Sequence, residues 1–160
     1  MTSTQTVRDV DIEKTWVLSS PLNFTRHFFK ARFNQKFIPA RHHQLISDFL
    51  NRILNGEIKK AMINLPPRYS KTELAVKHFI AMGLAVNPSA RFIHLSSSDE
   101  LVLDNSSDIQ DILRLPEYQR LFAARLANMN TIGKGKVFTQ VTEYELVCMI
   151  RLEPPKKNKY

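Results

Sequence analysis

Lys71 and Thr72 are the residues of this sequence best placed to do chemistry. They close the loop Pro66-Pro67-Arg68-Tyr69-Ser70, which follows an apolar run at Ala61, Met62, Ile63 and Leu65. Apolar residues then recur at helical spacing from Thr72 to Val86: Leu74, Ala75, Phe79, Ala81, Met82, Leu84 and Ala85. A strand, a tight loop, Lys-Thr and a helix make the layout that takes a phosphate chain. Free amides and the helix dipole hold the anion, the lysine neutralises its outer oxygens, and the hydroxyl ligates magnesium. Without an anion, a lysine at a helix N-terminus faces the positive end of the dipole. Thr72 also reads as a simple helix-start residue, and Glu73 in the first turn suits the dipole. The spacing G-x-x-x-x-G-K-[ST] is not met, because Leu65 and Ser70 occupy the two glycine positions. Serine adds a Cβ and a hydroxyl where glycine would bend freely and let phosphate approach, so Ser70→Gly is expected to tighten nucleotide binding.

The elements that must hold this loop are predicted from periodicity and punctuation. A short helix is expected over Val10–Leu18. Ser19-Ser20-Pro21 is a helix-start signal for Pro21–Asn34. That segment sets Phe24, Phe28, Phe29 and Phe33 among Arg26, Lys30 and Arg32, either as core with a solvated charged face or as a nucleic-acid surface. Another helix is expected over Ala40–Asn55, stopped by Gly56. Lys60–Leu65 and Arg91–Leu95 read as short buried strands, separated by the loop helix and the turn dipeptide Asn87-Pro88. Ser96, Ser97 and Ser98 either meet phosphate at the strand's carboxyl end or cap the helix expected over Asp99–Leu115. Pro116 breaks that helix, and Glu117–Asn128 reads as the next. Beyond Ala127 come β-like runs over 136–142 and 143–151, then a basic tail with Pro154 and Pro155.

The ordered set of motifs resembles the large terminase subunits of tailed bacteriophages, the ATPase motors that package DNA into capsids. Pro66 to Glu73 is similar to their proline-proline-arginine-x-glycine-lysine-serine/threonine-glutamate loop. His42-His43-Gln44, Asn87-Pro88, Arg91–Leu95 with its serines, Leu115-Pro116-Glu117-Tyr118 and Leu121-Phe122 extend the likeness over about residues 37–122. The resemblance implies an α/β fold, a partial P-loop NTPase core with a mainly parallel sheet flanked by helices, with N-terminal helices beside it. It implies a division into 1–36 (helical), 37–127 (partial ATPase domain) and 128–160 (divergent segment with a basic tail). ATP and Mg2+ are the implied cofactors, held by Pro67, Arg68, Tyr69, Ser70, Lys71 and Thr72, with Thr72 on the metal. Arg68 is implied to reach the γ-phosphate as an arginine finger in cis; its alternative is a surface arginine. Gln44 is implied to read adenine, or is merely exposed at a helix start. His42 and His43 make a poor metal pair, since adjacent helical residues point apart. Implied partners are double-stranded viral DNA, the portal and the small terminase subunit, in the cytoplasm of a bacterial host.

Two parts of that family's machinery are missing. Hydrolysis needs a strand ending in paired carboxylates. The nearest match, Val147 to Glu153, has Arg151 within it and one carboxylate. A nuclease domain has no room in 160 residues. The expectation is therefore a shortened terminase that binds nucleotide with little turnover. The alternative is a non-catalytic fragment that binds nucleic acid or a partner through its basic surface. A formal net charge of +8 favours an acidic partner. Hydrophobic content of 43% permits a core. Cys148 is the single cysteine, which excludes an internal disulfide or a cysteine zinc site within one chain. The polar N-terminus is unlike a signal peptide, and no apolar run is long enough to span a bilayer.

Overall fold

A computed structural model describes residues 3–126 apart from 89 and 97. The β-like runs, the acidic-strand candidate and the basic tail beyond 127 lie outside the described residues. Helices come in the order α1 (Ser3–Leu18), α2 (Pro21–Phe33), α3 (Arg41–Leu54), a π-helical turn (Glu73–His78) running straight into α4 (Phe79–Val86), α5 (Asp99–Arg114) and α6 (Pro116–Leu126). Lys71 and Thr72 are already helical, so one helix runs from the loop to Val86.

The helix boundaries follow local chemistry. Ser20 caps α2, its hydroxyl accepting the Asn23 N–H at 3.1 Å, with Pro21 in the first turn. Asn34 ends α2 in the left-handed region at φ 52°. Gly56, at φ 77°, ends the turn after α3. α1 begins well before Val10, and α6 begins at Pro116 itself.

The expected mainly parallel α/β sheet is not formed. Among the described residues there is no strand. Residues 61–65 and 91–95 have no regular secondary structure and Lys60 falls in a bend, so neither segment enters a ladder. The burial pattern gives the reason. A central parallel strand is covered on both faces, whereas here Ile63 and Leu65 pack inward while Met62 is 89% exposed. Likewise Phe92 packs against the core and Ile93 is 62% exposed. These segments are one-sided covers on a helical core. A short apolar run does not by itself distinguish the two cases.

That core joins the N-terminal helices directly to the later ones. Phe24 and Phe28 of α2 meet Ile80, Ala81, Met82 and Ala85 of α4, Ile109, Ile112 and Leu113 of α5, and Tyr118, Leu121 and Phe122 of α6. Rings stack edge and tilt, with Phe24–Phe28 at 4.5 Å and Tyr118–Phe122 at 4.9 Å. The buried Tyr118 hydroxyl donates to the Ala81 carbonyl at 2.9 Å, and burial pushes its pKa well up. The segment after α4 packs back against it at Gly83, where a Cβ would overlap the Phe92 ring. A second, smaller cluster lies under the loop: Ile46 and Leu50 of α3 with Leu74 and Phe79.

Candidate functional site

The loop's geometry is set by two residues in the left-handed region, Arg68 at φ 67° and Ser70 at φ 54°. Neither is glycine, and each such residue costs about 1–2 kcal/mol of backbone strain. The left-handed Ser70 followed by helical Lys71 is a backbone pairing whose N–H groups can converge on an anion. The Ser70 carbonyl accepts the Leu74 N–H at 3.0 Å, the first bond of the helix. The amides of Lys71, Thr72 and Glu73 therefore belong to the first turn, where amides have no intrahelical acceptor.

A cavity of about 620 Å³ opens against this turn, within the usual range for small-molecule sites. Of the residues singled out from sequence, Pro67, Arg68, Ser70, Lys71 and Thr72 line it together. Leu65, Pro66, Glu73 and Phe29 of α2 complete the lining. Tyr69 and Gln44 are not part of the lining. Tyr69 is 49% exposed and turns its ring to His42, at 5.4 Å between centroids. Gln44 lies exposed on α3, which leaves it without the cavity contact that reading adenine there requires.

His42 and His43 do not point apart as expected. Their rings lie 3.9 Å apart and their Nε2 atoms 3.0 Å apart. His43 Nδ1 accepts the Ala40 N–H at 2.9 Å, the returning arm of a capping box on a residue that has no side-chain oxygen of its own. Accepting at Nδ1 requires a neutral ring with its proton on Nε2. Burial, then the neighbouring His42, lowers the His43 pKa against a backbone hydrogen bond with Tyr69. Among the described residues no group of three or more metal-capable side chains forms. Ser98 sits at the N-cap position of α5 with extended backbone, but its side chain makes no capping bond.

Through Glu73 the cavity joins a partly buried charge network that sequence reading missed. Glu73 Oε2 accepts from Lys77 Nζ at 3.1 Å, and Lys77 reaches Asp108 of α5 at 2.6 Å. Asp108 also pairs with Arg32 of α2. Burial opposes the charge on Lys77, but its bonds to Asp108 and Glu73 win and raise its pKa. Burial likewise opposes the Asp108 carboxylate, and the bonds from Lys77 and Arg32 lower its pKa nonetheless. His78 is fully buried beside them, its Nδ1 2.9 Å from the Glu73 carbonyl, to which it donates. Burial holds it below the usual histidine value. The π-helical turn, a form frequent at functional sites, spans Glu73 to His78 and brings these groups together. Glu73 and Lys77 are four apart, the spacing of a helical ion pair. Nothing in the order of residues joins them to Asp108 and Arg32, and Phe29 reads only as one more core aromatic.

No protein-family model, curated protein or solved structure matches this chain. Among the described residues no helix is long and apolar enough to cross a membrane.

Proposed function

We propose that the loop Pro66–Thr72 binds the polyphosphate of a nucleotide, ATP with Mg2+. The observation that carries this reading is the meeting of Arg68, Lys71 and Thr72 on one cavity at the first turn of a helix. Lys71 would neutralise the outer phosphates, and the Thr72 hydroxyl would ligate magnesium. Arg68 would lie against the γ-phosphate. The terminase resemblance supplies the wider reading: a relative of the packaging ATPase that binds nucleotide. Viral DNA, the portal and the small subunit are then its partners, in a bacterial cytoplasm.

Titration of the chain with Mg-ATP, wild type against Lys71→Ala, tests the reading. A loss of at least about tenfold in affinity is expected, since the charge contact at the outer phosphates is removed. Equal affinity overturns it. The +8 charge favours a second reading, a nucleic-acid-binding fragment. Its signature is binding that weakens steeply with salt and ignores ATP.

A further inference from the structure

Glu73 is one of the residues lining this cavity, and a carboxylate beside it opposes a polyphosphate. Its side chain is 16% exposed, so water screens it weakly. Its Oε1 is buried without a hydrogen-bond partner among the described residues. His78 Nδ1 lies 3.5 Å from that oxygen, but it spends its proton on the Glu73 carbonyl and stays neutral. Lys77 is the lysine that pairs directly with the Glu73 carboxylate, at 3.1 Å. Lys77 is in turn fixed from the far side by Asp108, which Arg32 holds.

We propose that Lys77, clamped by Asp108, is the counter-ion that offsets Glu73 beside the cavity and so sets how strongly the loop takes a polyphosphate. Lys77 is a positioning residue: it touches Glu73, not the ligand. The proposal rests on the reading of the loop as a phosphate site.

The two sides of this ion pair act in opposite directions. Glu73→Gln removes the opposing charge, keeps the side chain's shape and leaves Lys77 on Asp108. Lys77→Met leaves the carboxylate uncompensated. A pair that only holds the helix together would move affinity the same way when broken from either side. The test is calorimetric titration of the full chain with magnesium and inorganic tripolyphosphate, each variant checked for its helical circular dichroism. Glu73→Gln is expected to bind about three- to tenfold tighter and Lys77→Met about tenfold weaker, as one nearby unit charge would dictate. The double variant should recover most of the Lys77→Met loss. Should Lys77→Met fail to fold, Glu73→Gln decides alone, and unchanged or weaker binding overturns the proposal. Shifts of the same sign in both single variants overturn it while leaving the phosphate site standing. Wild-type binding that is absent, or indifferent to Lys71→Ala, overturns both.

Discussion

The helix that begins at the loop has two unlike halves. From Phe79 to Val86 six of its eight residues are buried, and the burial is apolar. From Lys71 to His78 it opens on strained backbone, widens into a π-helical turn, and carries Glu73, Lys77 and His78 in a network of partly buried charge. The distal half is fixed by packing, and the proximal half adds electrostatics to the packing of Leu74. The contrast separates where stability resides from where a ligand could be held: the core bears the load, so the loop can remain strained.

Predictions follow the same division. Phe28→Ala should have the largest effect on stability, about 3–5 kcal/mol, because the ring is fully buried among Phe24, Tyr118 and Phe122. Urea unfolding checks it, and a loss below about 1 kcal/mol would deny the distal half its role. Gly83→Ala should cost about 1–2 kcal/mol even after the gain in helix propensity, through overlap with Phe92. Phe92→Leu in the same chain should return part of that loss. Ser70→Gly acts in the other half and with the other sign. Relieving a left-handed serine at φ 54° should raise unfolding free energy by about 1 kcal/mol and tighten Mg-ATP binding. Equal or weaker binding by calorimetry would count against the loop as a strained phosphate cradle.

The smallest effect is a slope with pH. Burial lowers the pKa of His27, His43, His78 and His94 in the folded chain. Unfolding then takes up protons below the ordinary histidine value of 6.5. This stability is fully present above that value and is lost as pH falls toward the folded pKa values. Melting temperature should fall between about pH 7 and pH 5. Asp108 titrates lower and Lys77 higher, so neither produces that slope. His78→Asn keeps a donor for the Glu73 carbonyl but cannot titrate, and should give a lower, flatter profile. A steeper one would remove His78 from the account.

The helices were legible because their signals are local. Ser20-Pro21, Asn34, Gly56 and Pro116 mark ends by their own backbone preferences, and Phe24/Phe28 or Ile109/Ile112/Leu113 mark faces by spacing. The sheet was misread because Lys60–Leu65 and Arg91–Leu95 are short runs whose partners, not residues, decide between strand and irregular cover. Within the site, the neighbouring positions Pro67, Arg68, Ser70, Lys71 and Thr72 were legible as a loop, while Tyr69 among them turns to His42. Gln44 was placed by resemblance and falls outside the cavity. The Arg32–Asp108–Lys77 connection was invisible because it joins three helices distant in sequence.

The most direct measurement is the amide nitrogen–proton spectrum of the chain during addition of Mg-ATP. If the loop cradles a polyphosphate by its first-turn amides, Ser70, Lys71, Thr72 and Glu73 move first and furthest, and Lys71→Ala abolishes the movement. Shifts scattered over the basic surface with those four amides unmoved, or no shifts at all, contradict the account.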